Sequence, residues 1–218
     1  NKIAAGEVVE RSSSVVKELV ENAIDAGSSI ITIDLINGGL NGITITDNGC
    51  GMEHDDAILS FQRHATSKLL REDDLFFIST LGFRGEALPS IASVSEVDLV
   101  TCAKTIGTHL HIKGGKLEID EPADKRVGTR ISIKNLFYNT PARLKYLKSE
   151  PTELASCVSY IEKIALSYPQ IKFTLNNNDR PVVKTSGSGN LKKTIHEIYG
   201  LQVSSKLIEI KISNDDYD

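Results

Sequence analysis

The chain has 218 residues and a net charge of −4, with 40% hydrophobic and 25% charged side chains. That profile fits a globular protein able to bury a core, with room for one domain of ordinary size and part of a second. No run approaches the ~18 apolar residues of a membrane helix and no signal peptide opens the sequence; the dispersed Cys50, Cys102 and Cys157 argue for a reducing compartment and against a structural zinc site.

A first residue other than Met reads as a piece of a longer chain. Charge is unevenly placed: residues 1–100 carry 7 basic and 16 acidic side chains, residues 101–218 carry 18 and 13. Arg126, Arg130, Lys134, Arg143, Lys145 and Lys148 supply much of the second excess. A basic surface there could follow a phosphate backbone without reading sequence, and a solvated charged face would explain the same residues.

In chain order, a short helix is predicted over Ile3 to Glu10, and then a longer one that Ser12, Ser13 and Ser14 can cap. The longer helix runs to about Ala26 and stops at Gly27. Val15, Val16, Leu19, Val20 and Ala23 form its apolar stripe, and Glu18, Asn22 and Asp25 share an adjoining strip. Ile30 to Ile36 and Ile43 to Asp47 read as strands joined by Asn37-Gly38-Gly39, which puts Asp47 at the end of the row that Ile43 and Ile45 use to face the core.

Asp47 to Gly51 is a glycine-bearing loop, Asp55 to Ala65 has helical spacing, and Leu81 to Leu88 reads as a glycine loop entering a helix with Pro89 in an early turn. Strands are predicted over 97–103, 108–113, 116–119 and 129–134, and a second long helix over Ser149 to Ser167 with Leu154, Val158, Ile161, Ala165 and Leu166 as its stripe. A hairpin follows over 171–175 and 181–184. Ser186 to Gly189 is linker-like, so the expected division is a first domain at 1–186 and the start of a second at 187–218, with a helix at 191–199 and a strand at 206–212. The layout is α+β, a two-layer sandwich of a mixed, mostly antiparallel sheet with helices on one face. His109 and His111 share a side of one strand with no third ligand evident, which reads as a solvated face.

Glu18 and Asn22, one turn apart at the edge of a core, could deprotonate a water and ligate a hard cation, or could be solvated border residues. Asp47, beside glycines that let a flat ring approach, could accept from an exocyclic amine with Thr129 in support. Thr66, Ser67, Lys68 and the Gly82 to Leu88 run offer hydroxyls, an ammonium and backbone amides that could cradle an anion.

Taken together and in this order, IAAGEVVER (3–11), VVKELVENAIDAG (15–27), DNGCGM (47–52), RHATSK (63–68), LGFRGEAL (81–88) and FYNTPARLKYL (137–147) resemble the ATPase region of the MutL mismatch-repair family. That family lies in a superfamily with gyrase B subunits, histidine kinases and the large ATP-dependent heat-shock chaperones. The resemblance implies a Bergerat-type ATP-binding fold and an ATPase using ATP and Mg²⁺. It implies Glu18 as general base for the water attacking the γ-phosphate, Asn22 as magnesium ligand, and Asp47 as reader of the adenine amine with Gly51, Met52 and Thr129 around the base. It also implies a phosphate-binding lid from Thr66, Ser67, Lys68 and Leu81, Gly82, Phe83, Arg84, Gly85, Glu86, Ala87 and Leu88, while Glu21 and Asp25 keep structural roles.

A family lysine that reaches the γ-phosphate is expected beyond Asp218, so hydrolysis by this stretch alone is expected to be weak. Expected partners are a second copy in an ATP-dependent dimer, a mismatch-recognition protein and other repair factors. DNA is expected to be bound without sequence preference through Arg143, Lys145, Lys148 and Lys163. The bacterial form of the motifs implies a cytoplasmic location, or a nuclear one for a eukaryotic homologue.

Overall fold

A computed structural model describes residues 9–62, 86–124 and 127–208. Its first described helix, α1 (Ser12–Asp25), buries Val15, Val16, Leu19, Val20 and Ala23, the stripe expected from the sequence. The start differs from expectation. Arg11 is the N-cap and the three serines fall inside the first turn, where Ser12 is fully buried. The physical reason is an anchor: Arg11 Nε and Nη2 donate to the buried carboxylate of Glu153 at 3.3 and 3.2 Å, which fixes where the chain turns into the helix. At the other end Gly27 takes φ +73° and returns its N–H to Ile24 O, while Ser28 N–H returns to Ala23 O. This paired closure is a Schellman motif, and it delivers Ser28 in a fixed direction.

The chain then pairs β1 (Ile30–Ile36) with β2 (Gly42–Asp47) in antiparallel register, Ile33 opposite Ile45. Further strands are β3 (Glu96–Cys102), β4 (Gly107–Lys113), β5 (Lys116–Ala123), β6 (Gly128–Lys134), β7 (Lys172–Asn177) and β8 (Arg180–Lys184). They form one eight-stranded sheet in the order β5-β4-β3-β6-β2-β1-β7-β8. β1 and β7 run parallel and every other neighbouring pair is antiparallel. β5 runs past the expected end through Pro122, which an edge strand tolerates because one side of it has no ladder bonds to make.

Alternation sorts the side chains into two faces. Ile31, Ile33, Leu35, Ile43, Ile45, Val97, Leu99, Leu110, Ile131, Ile133, Phe173 and Leu175 are buried in one core with α1 and with α5 (Glu150–Ser167). The opposite face is polar and half exposed: Asn176 Nδ2 donates to Asp34 Oδ1 at 2.7 Å, and the hydroxyls of Thr44 and Ser132 lie 3.0 Å apart. The architecture is the mixed α+β sheet expected from the sequence.

Shorter helices are α2 (His54–Leu59), α3 (Ala87–Ser93), α4 (Pro141–Leu144), α6 (Leu191–Tyr199) and α7 (Leu201–Ser204). α2 stops before the expected end, and Pro89 sits in the first turn of α3, where no donor is required. On α5 the fully buried positions are Glu153, Cys157, Ile161 and Ala165, with Leu154 and Val158 at the margin of the core. The stripe is turned from its expected position because Glu153 must face inward to meet Arg11. Burial, with the Glu153 carboxylate next to it, pushes the Cys157 thiol up to about 12. Residues 206–208 are not strand, while residues 3–8, 63–65 and 209–212 of the expected elements lie outside the described residues.

Candidate functional site

Three adjacent strands end in a polar residue on the core face at the same end of the sheet. β2 contributes Asp47, β6 contributes Thr129 and β3 contributes Thr101, with Thr101 and Thr129 directly paired across the ladder. All three are at least nine-tenths buried. The core face is apolar along its length and becomes a floor of hydrogen-bonding groups here.

Asp47 is held by uncharged donors that converge on one oxygen. Gly49 N–H donates to Oδ1 at 2.8 Å, Ser28 Oγ at 3.2 Å and Thr129 N–H at 3.3 Å. Three donors on one oxygen fix the plane of the carboxylate, which directs Oδ2 as an acceptor of set orientation. Ser28 reaches Asp47 because of the Schellman turn after α1, and Cys50 N–H ties the following loop back to Ala26 O at 2.9 Å. The loop therefore lies against the C-terminal end of the helix that carries Glu18 and Asn22. Asn22 stands one turn and Glu18 two turns back from Ala26, roughly 6 and 12 Å along the axis.

Two glycines are required by close approach. Gly51, at φ +67°, lies against the end of β3, where any Cβ would run into the carbonyl of Cys102. Gly128, at φ +95°, lies against β2, where a Cβ would run into the carbonyl of Asp47. Met52 N–H donates to Thr101 Oγ1 at 2.9 Å, which fastens the 47–52 loop to β3. At both positions backbone packs directly on backbone, which only a residue without a Cβ allows.

On α1, Glu18 and Asn22 are half-buried beside the core stripe. Glu21 faces α5: burial raises its carboxyl above the usual range, against the pull of Lys17, with Glu18 and Asp25 adding to the rise and a hydrogen bond from Tyr160 opposing it. Burial, followed by the nearby Glu21 and Glu18 charges, also raises the Tyr160 phenol.

Of the residues the sequence singled out, the structure brings Asp47, Gly51, Met52 and Thr129 together and sets the helix of Glu18 and Asn22 beside them. Glu86, Ala87 and Leu88 open α3, with Glu86 at its N-cap. Thr66, Ser67, Lys68 and Leu81 to Gly85 lie outside the described residues. Arg143, Lys145 and Lys148 fall in and just after α4, whereas Lys163 stands thirteen residues along α5 from Glu150, roughly 20 Å of helix rise. His109 and His111 face the polar side of the sheet with Asp98 between them, and no group of three or more His, Cys, Asp or Glu among the described residues is arranged to hold a metal ion. Sequence reasoning missed Ser28, Gly49 and Thr101. The one available signal was Thr101 ending a strand row at the level of Thr129, and that needs the sheet order to be seen.

The histidine kinase-, DNA gyrase B- and HSP90-like ATPase family matches residues 10–135, more than half of the chain. The chain belongs to that ATPase family. Within it, similarity runs to MutL: the DNA mismatch repair protein MutL of Streptococcus thermophilus is 54% identical over the whole chain, and that of Listeria innocua 53%. The chain spans 34% and 36% of those two proteins, about a third of each. Among solved structures, the Aquifex aeolicus MutL ATPase domain complexed with ADP superposes with a TM-score of 0.70 at 29% identity, covering 88% of this chain and 70% of that one. The N-terminal domain of a DNA repair protein superposes with a TM-score of 0.78 at 28% identity, covering 91% of this chain and 60% of that one. The chain is thus similar to MutL in sequence and to the MutL ATPase domain in fold.

Proposed function

We propose that this chain binds ATP and hydrolyses it to ADP and phosphate, as the nucleotide-driven part of a mismatch-repair protein. The observation that carries the reading is the Asp47 carboxylate, held by three donors on Oδ1 beside the close-packed Gly51 and Gly128, within a chain whose family is an ATPase family. Adenine would lie on Gly51 and Met52 with its amine on Asp47, as the similarity to the ADP-complexed Aquifex aeolicus domain supports.

Glu18 would take a proton from the water whose oxygen attacks the terminal phosphorus, as the bond from that phosphorus to the bridging oxygen of ADP breaks. The Asn22 carboxamide and the adjacent carboxylate are sparse, hard oxygen donors. They fit magnesium, which is bound largely through waters and substrate phosphates. Bound there, the ion would neutralise phosphate charge. Lys68 and the segments around residues 66–68 and 81–88 would close over the phosphates, and the closed state would favour pairing with a second copy and engagement of repair partners and DNA. DNA would be held by phosphate contacts from Arg143, Lys145, Lys148 and Lys163, and a second domain would begin at about residue 187.

The test is Glu18→Ala in the intact protein. Turnover is expected to fall by about two to four orders of magnitude while ATP affinity is little changed. Loss of binding together with turnover would remove Glu18 from the role of base, and unchanged turnover would overturn the hydrolytic reading.

A further inference from the structure

Thr101 is 1% exposed and its hydroxyl meets three groups: Met52 N–H at 2.9 Å, Thr129 Oγ1 at 2.9 Å and Gly128 O at 3.4 Å. A threonine hydroxyl has one proton to give. A backbone amide can only donate, so Thr101 Oγ1 is the acceptor towards Met52. Its own proton then goes to Thr129 Oγ1 or to the carbonyl of Gly128, and the approach to Thr129 is the shorter. With that proton received, Thr129 keeps its own for another acceptor.

We propose that Thr101 is a positioning residue for base recognition, which sets Thr129 as a hydrogen-bond donor toward the ligand. The donors run in one direction: Met52 N–H to Thr101, Thr101 O–H to Thr129, Thr129 O–H to the base, directly or through one water. Beside this donor stands the Asp47 carboxylate, an acceptor, and the two are joined by the bond from Thr129 N–H to Asp47 Oδ1. An acceptor next to a donor complements a ring edge with an amine next to an unprotonated nitrogen, which is the edge of adenine. Guanine presents a carbonyl and a protonated nitrogen at the same places and is mismatched at both. The inference rests on the reading of this site as an adenine-nucleotide site.

The experiment measures equilibrium binding of ATP and of 1-deaza-ATP, which has C–H in place of ring N1, to the intact protein and to Thr101→Val and Thr101→Ser. In the unaltered protein, loss of N1 is expected to weaken binding about tenfold. Thr101→Val is expected to weaken ATP about tenfold and 1-deaza-ATP far less, so that the penalty for losing N1 nearly disappears, and Thr101→Ser is expected to restore it. Equal weakening of both nucleotides by Thr101→Val would show a merely structural role and overturn the proposal, as would equal affinity of the unaltered protein for the two. If Thr101→Val does not fold, Thr101→Cys, with a weak donor of similar size, is read the same way: a reduced N1 penalty supports the proposal and an unchanged one overturns it. Failure of the unaltered protein to bind either nucleotide would instead remove the adenine-site reading.

Discussion

β3 carries two polar clusters on opposite faces, and they are held by different chemistry. On the core side, Thr101 joins a group in which the Asp47 carboxylate is fixed by two amides and a hydroxyl. On the open side, Asp98 Oδ1 lies 2.9 Å from His111 Nδ1 and 3.4 Å from His109 Nε2, and His109 Nδ1 lies 2.9 Å from Glu121 Oε1. Amides and hydroxyls do not titrate near neutrality, so these three donors to Asp47 persist over the working range. His109, whose pKa is raised, changes charge within it. At the proposed nucleotide site the donors cannot switch; where the sheet faces water, His109 pairs with carboxylates and the strength of those pairs follows pH.

The largest effect expected from this contrast is on nucleotide affinity. Asp47→Asn keeps the side-chain shape but puts a donor where an acceptor is needed, and ATP affinity measured calorimetrically should fall about a hundredfold or more. Asp98→Asn should leave it unchanged; a comparable loss there would break the comparison. Ser28→Ala removes one of the three donors to Oδ1 and should weaken ATP about fivefold, since two amides still hold that oxygen. No change would mean that the two amides suffice to hold the carboxylate.

The smallest effect is on stability. His109 has a raised pKa, chiefly because it bonds Glu121, with Asp98 adding to the rise against burial. The folded state therefore keeps this proton to higher pH than the unfolded chain, so the stabilisation is fully present below the ordinary histidine value and is lost as pH rises through the folded value. Asp98 shifts the other way: burial raises it, but the bonds from His111 and then His109 outweigh this and lower it. Its contribution is present above the ordinary carboxylate value and is lost as pH falls through the lowered one. The cluster should thus help most between about pH 4 and 6.5. His109→Gln should cost about 0.5 kcal/mol at pH 6 and less at pH 8 in denaturant unfolding, since Glu121 is well exposed and screened. An equal loss at both pH values would show that packing, and not charge, is responsible.

Much of this was legible in the sequence, for reasons that can be named. β-branched alternation placed β1, β2 and β6, and the same alternation put Asp47 on the core face at a strand end. The glycine after α1 marked its closing turn. What could not be read was anything that depended on neighbours distant in the chain. Glu153 was left out of the expected stripe of α5, because its partner, Arg11, lies more than a hundred positions earlier. The serines before Val15 looked like caps because that anchor was invisible. Thr101 looked like any β-propensity residue until β6 was seen to lie between β2 and β3.

That placement of β6 has a further consequence, for the order in which the protein can assemble. β1 with β2, and β3 with β4 and β5, are pairings between chain neighbours that can form early at low entropic cost. β6 comes after both groups and bonds to each, Ile45 on one side and Leu99 on the other sharing Ile131. Until it slots in, Asp47 and Thr101 belong to separate halves, with Thr129 absent from between them. If the nucleotide is read by Asp47 and Thr129 as proposed, it can recognise only a chain in which the two halves have been joined. In refolding, recovery of ATP binding should trail the return of strand signal and coincide with protection of the β6 amides from solvent exchange.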